Sequence, residues 1–160
     1  MKILGIDPGL KATGYGLLEH KHNKTVLVEA GTIHPKVKDS LEKKLLTVYR
    51  QLHDLIREHK PQTLVLEKIY AHYKHPATAS ILGHTRGVIC LLCAQSGIYL
   101  AEHSVKRIRK AVTGNGNASK EQTRRMVANE FGLKPEKLTL DASDAIALAA
   151  GYLRIHGRHL

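Results

Sequence analysis

A chain of 160 residues, 42% of them hydrophobic, has the size of one domain and can bury a core, which excludes whole-chain disorder. No apolar run nears the roughly 18–20 residues of a membrane span, and in MKILGIDPG the polar Asp7 and Pro8 come too early for a secretory signal. Twenty-five Lys and Arg against fourteen Asp and Glu leave a net charge of +11, which points to a polyanionic partner, most often nucleic acid.

KILGID (2–7) reads as a buried strand that runs into a turn at Pro8-Gly9. TGYGLLEH (13–20) and TVLVEAGTI (25–33), separated by a polar stretch at Asn23-Lys24, extend it into an antiparallel meander. A helix starts at Ser40, with Leu41, Leu45, Val48, Leu52, Leu55 and Ile56 on one stripe, and Pro61 ends the element. TLVLE (63–67) is apolar enough to be a central strand. After a His/Tyr/Lys-rich loop from Tyr70 to Pro76 come a long helix (77–95), a fifth strand (98–103) and a short basic helix (104–112). A loop at 114–117, a helix over 118–131 stopped at Gly132, and a last helix within 138–156 starting near Asp141 complete the chain.

Three strands, then helix–strand–helix–strand, then helices imply an α/β or α+β sheet with helices on its faces. With no repeat, low-complexity segment or linker, residues 1–160 are expected to form one domain. Cys90 and Cys93 are too few for a disulfide framework and fit a reducing cytoplasm. Their CxxC spacing lacks the second pair that zinc needs, so they read as small core residues of a helix.

The charge is unevenly spread. No acid occurs between Glu67 and Glu102, and from His103 to Arg125 seven basic residues, Arg109, Lys110 and Lys120 among them, face the single Glu121. Against that background four acids stand out. Asp7 and Glu67 each end an apolar strand, and Asp141 and Asp144 stand at the entrance of an apolar helix. Carboxylates at the ends of adjacent strands, roughly 4.8 Å apart, can converge, and residues three apart on a helix share a face. Four convergent carboxylates repel one another unless a cation sits among them. Hard oxygen ligands select Mg²⁺ or Mn²⁺, and two such ions clamp the attacking and leaving oxygens of a phosphoryl displacement.

Each acid also has a structural reading: Asp7 as a turn-former, Asp141 as a helix cap, Asp144 as a first-turn acid complementing the helix dipole. Glu67 at a buried strand end has no such easy account. The set as a whole, on a basic protein, argues for a metal-dependent nuclease. Tyr70, with Lys74 close by, could stack on a splayed base, and Lys120 at a helix start could meet a phosphate.

ILGIDPGLKATGYG (4–16), LVLEKIYAHYK (64–74), TGNGNASKEQ (113–122) and LDASDAIALA (140–149) resemble, in order and from end to end, the RuvC family of bacterial Holliday-junction resolvases. The resemblance implies an RNase H-like fold whose five-stranded mixed sheet places the first and fourth strands side by side. It implies that Asp7, Glu67, Asp141 and Asp144 bind two Mg²⁺, replaceable by Mn²⁺, that Lys120 serves the scissile phosphate and that Tyr70 engages DNA near the exchange point. Arg109 stands where the family often has lysine. The implied activity is that of a crossover junction endodeoxyribonuclease: a homodimer that nicks two opposing strands of a four-way DNA junction symmetrically, leaving 5′-phosphates. The implied partners are the junction and the branch-migration motor of the same recombination and repair pathway. The long helix containing Cys90 and Cys93 is the expected dimer face. A nuclease for structured RNA and a non-catalytic junction-binding module are the rival readings.

Overall fold

The computed structural model describes residues 1–68 and 76–157, the side chains of 76–78 excepted. Strand β1 (Lys2–Asp7) alternates Leu4 and Ile6 toward one side of the sheet and Ile3 and Gly5 toward the other. β2 (Thr13–Lys21) runs antiparallel to it, and β3 (Lys24–Ile33) runs antiparallel to β2. The β2–β3 turn uses His22 and Asn23 with φ of 49° and 58°, the positive values a tight hairpin requires. β4 (Thr63–Glu67) pairs parallel to the far edge of β1, and β5 (Tyr99–His103) parallel to β4. The sheet is therefore five-stranded and mixed, in the order β3-β2-β1-β4-β5. That is the architecture expected above, with the first and fourth strands adjacent.

Helices α1 (Leu41–His59) and α2 (Pro76–Ser96) cover one face. There Val48 and Leu52 of α1 and Ile89, Leu92 and Cys93 of α2 close over Leu4, Ile6, Leu17, Leu64 and Leu66. Cys93 is buried and Cys90 half-buried, both as free thiols, in keeping with their reading as small core residues. The other face carries α3 (Val105–Thr113), α4 (Lys120–Glu130), a single 3-10 turn (Pro135–Lys137) and α5 (Leu140–His156). Ile108, Val127 and the nearly continuous buried run of α5 cover Ile3, Leu18 and Val65. Arg154 fastens the far ends of these three helices together. Its guanidinium donates to the carbonyls of Ala111 (2.9 Å) and Val112 (2.7 Å) and pairs with Glu130 (2.8 Å).

Candidate active site

The parallel register Ile6↔Leu66 carries Asp7 and Glu67 to the same end of neighbouring strands. Side chains alternate along a strand, so both carboxyls fall on the face of Ile3, Gly5 and Val65, the face under α5. The turn after β1 does not use Asp7. It is closed by Thr13, whose hydroxyl donates to the Gly9 carbonyl (2.7 Å) and accepts from the Gly9 amide (3.4 Å). Among the described residues neither the Asp7 nor the Glu67 carboxylate takes a hydrogen bond.

Helix α5 reaches these carboxyls because it lies on a glycine surface. A Cβ on Gly14 would stand 2.0 Å from the Asp141 carbonyl oxygen, and one on Gly5 2.0 Å from that of Ala145. A Cβ on Gly16 would meet the Ile146 side chain at 2.6 Å. Gly14 pairs with Asp7, and Gly16 with Gly5, across the β1–β2 ladder. These three positions let the first turns of α5 settle against the sheet beside Asp7. The cap is Thr139, whose hydroxyl accepts from the Ala142 amide (3.2 Å). Asp141 is therefore released from the capping role that its sequence position suggested, and it shares a helix face with Asp144 one turn on.

The electrostatics record the convergence. Asp7 is pushed from its ordinary 3.8 up to about 7, first by burial and then by Asp144, with Asp141 and Glu67 adding to the rise and Lys120 opposing it. Glu67 is raised by burial and by Asp144, against the pull of Lys120, Arg109 and Arg86. Lys120 opens α4 behind a capping box made by Ser119 and Gln122, and its Nζ lies 2.8 Å from Asp144 Oδ2. Burial works against its ammonium, but the hydrogen bond to Asp144 and the charges of Asp144, Asp7 and Asp141 outweigh it and raise its pKa. Arg109 and Glu67 line one small cleft with Asp144.

The donor set suits a hard divalent cation: four carboxylates, all oxygen, with two held on a rigid sheet and two on a rigid helix. Among the described residues no three carboxylate, imidazole or thiol groups stand close enough to share an ion. The carboxyls are within coupling range, and the Lys120 ammonium supplies the positive charge on Asp144. A cation bound there would offset both the burial and the carboxylate repulsion that lift Asp7.

Five of the expected site residues, Asp7, Glu67, Asp141, Asp144 and Lys120, thus come together, and Arg109 joins them at the Glu67 side. Lys110, in the last turn of α3, packs beside Gly116 on the loop that leads to α4. Tyr70 and Lys74 lie outside the described residues. Two positioning features went unread in the sequence. Arg86 of α2 donates to the Glu67 carbonyl (2.6 Å) and pairs with the Glu102 carboxylate, holding the end of β4. Its signal was a lone arginine inside an apolar helix. The glycine surface under α5 had a signal too, Gly14 and Gly16 at strand spacing opposite Gly5.

The family model for "Crossover junction endodeoxyribonuclease RuvC" matches residues 3–152. A curated protein of that name from Petrotoga mobilis is 41% identical over 149 residues, covering 93% of this chain and 91% of its own. Another from Rhodopirellula baltica is 36% identical over 147 residues, covering 92% and 83%. The solved structure of Thermus thermophilus RuvC in complex with Holliday junction substrate matches with a TM-score of 0.84 at 22% identity, over 97% of this chain and 96% of that one.

Proposed function

The chain belongs to the RuvC family of crossover junction endodeoxyribonucleases, and from that premise we propose that it resolves Holliday junctions by metal-dependent, symmetric nicking of two opposing strands. The observation that carries the reading is the convergence of Asp7, Glu67, Asp141 and Asp144 beside Lys120 on a basic chain. Family membership speaks against an RNA-directed nuclease and against a non-catalytic module.

In this reading residues 1–160 act as one RNase H-like nuclease domain in the cytoplasm, where DNA recombination and repair take place. No helix among the described residues is long and apolar enough to cross a membrane. Asp7, Glu67, Asp141 and Asp144 would hold two Mg²⁺, or Mn²⁺ in their place. Bound there, the ions supply activation of a water and stabilisation of the leaving 3′-oxygen, so the nicks carry 5′-phosphates. Lys120, 2.8 Å from Asp144, is the residue assigned to the incoming phosphate. Moving from Asp144 onto the scissile group, its ammonium offsets the charge that builds there. Arg109, Lys110, Tyr70 and Lys74 contribute DNA contacts around that point. A homodimer provides the two-fold symmetry of paired nicks. Its surface is assigned to α2, where Gly83, Gly87 and the exposed Leu91 leave one helix face open to a second helix. The branch-migration motor of the pathway is the expected partner of the dimer on the junction.

The test is an end-labelled four-way junction beside a matched linear duplex and a structured RNA, each with and without Mg²⁺ or Mn²⁺. Paired nicks on the junction alone, dependent on metal, are expected. Binding without nicks in either ion, or cleavage of the RNA in preference to the junction, overturns the reading.

A further inference from the structure

Helix α4 has a second surface that the carboxylate site does not use. Its buried residues, Thr123, Val127 and Ala128, face the core, whereas Gln122, Arg125, Met126 and Asn129 recur at three- and four-residue spacing on the exposed flank. Together with Asn115 of the α3–α4 loop they line a groove of about 300 Å³.

The polarity of this groove is set by hydrogen bonds already made. Asn115 Oδ1 accepts from the Asn117 amide (2.9 Å), and Gln122 Oε1 accepts from the Ser119 amide (2.8 Å). Each of these oxygens keeps a second lone pair, while the NH₂ groups of Asn115 and Gln122 are unspent among the described residues. Arg125 spends its Nε on Glu121 (3.2 Å) and keeps its terminal nitrogens. The Asn129 amide has no partner among the described residues. Met126, 41% exposed, adds an apolar contact on an otherwise polar stripe. Lys106 and Lys110 adjoin the loop at Gly116. The groove is rich in donors, which outnumber its free acceptors.

A ligand for such a surface must present acceptors in a row. The minor groove of duplex DNA does so: its A·T pairs show only N3 and O2 acceptors between two lines of phosphate oxygens. Arg, Asn and Gln with an apolar side chain form the usual reading set for that groove. Position fits as well. At about 1.5 Å of rise per residue, Arg125 and Asn129 stand roughly 7 and 13 Å along α4 from Lys120. That is about two to four nucleotide steps of roughly 3.4 Å. We propose that the Asn115–Asn129 groove holds a duplex arm of the substrate by its minor groove, a few nucleotides from the cleaved phosphate. The inference rests on the junction-resolving reading above and adds the second contact that would aim the arm.

The test measures junction binding by fluorescence anisotropy in EDTA, with hydroxyl-radical footprints of the complexes. Asn129→Asp and Arg125→Gln are compared with wild type and with Arg50→Gln, an exposed charge on α1 across the sheet. Melting curves of all four proteins check that each is folded. Asn129→Asp is expected to weaken binding about tenfold by setting a carboxylate among acceptors. Arg125→Gln is expected to weaken it roughly three- to tenfold and to reduce the slope of log K against log[salt] by about 0.9. Both should lose one patch of arm protection that Arg50→Gln keeps. Wild-type affinity and footprints in both variants, or an equal loss in Arg50→Gln, overturn the groove while leaving the resolvase reading intact. Wild-type protein that fails to retain the junction overturns both.

Discussion

Replacing Asp7 by Asn should stabilise the metal-free protein while destroying its activity, and the stabilisation should depend on pH. The Asp7 carboxyl ionises at about 7 in the folded protein against an ordinary 3.8, because of burial first and Asp144 second. At about 1.36 kcal/mol for each tenfold change in proton affinity, that rise amounts to roughly 4 kcal/mol. Relaxation around a half-buried site reduces it to roughly 2–4 kcal/mol. The folded state binds this proton more tightly than the unfolded chain, so the stability is fully present below pH 3.8 and is lost as pH rises through about 7. Asn cannot ionise and avoids the loss. For a chain of this size, at about 2–4 °C per kcal/mol, Asp7→Asn should melt roughly 5–15 °C above wild type at pH 8 in EDTA. The gap should shrink steadily toward pH 4.5. Groups remote from the site contribute equally to both proteins and cancel in the difference. Adding Mg²⁺ or Mn²⁺ at pH 8 should raise the wild-type melting temperature and narrow the gap. Calorimetry or circular dichroism melts across pH 4.5–8.5 make the measurement. A gap that does not change with pH refutes the argument that burial and the neighbouring Asp144 lift Asp7.

Lys120→Ala should slow junction cleavage by about 10²–10³-fold, the usual cost of losing a charge-stabilising donor, with junction affinity changed far less; single-turnover rates at saturating protein report it. Gly14→Ala drives a methyl into the Asp141 carbonyl and should cost about 1–3 kcal/mol or more in urea unfolding, with cleavage lost alongside because α5 is lifted from Asp7. Thr139→Ala removes the α5 cap and should cost about 0.5–2 kcal/mol, with a rise in the metal concentration needed for half-maximal cleavage. Leu52→Ala, in the core on the opposite face, should cost about 2–5 kcal/mol and leave the cleavage rate of the folded protein unchanged, which separates stability from site chemistry.

Much of the site was legible because each of its parts is a local feature. A strand that ends in an acid, a helix that opens on Asp-x-x-Asp, and a lysine at a capped helix start are each written within a few residues, where backbone propensity and capping decide structure. The strand ends, the long helices and the burial of Cys93 came out within a residue or two for the same reason. The start of α5 was less legible, since Thr139 and Asp141 are both good caps and only the hydrogen bond to Ala142 chooses between them. Arg86 escaped notice because its partners, the Glu67 carbonyl and Glu102, lie in two other elements.

The sequence by itself determined that this protein is basic, α/β in its element order, and supplied with four acids at element ends. What only the tertiary structure decided is that these acids come within range of one another's charge. Asp7 and Glu67 become neighbours through a parallel pairing that no local signal specifies, and α5 returns from the far end of the chain to rest on Gly5, Gly14 and Gly16. The short Lys120–Asp144 contact depends on α4 and α5 packing side by side on one face of the sheet. Propensity acts over a turn or a strand. The site is assembled by burial and steric fit between segments that local propensity does not connect, and those act only once the sheet exists.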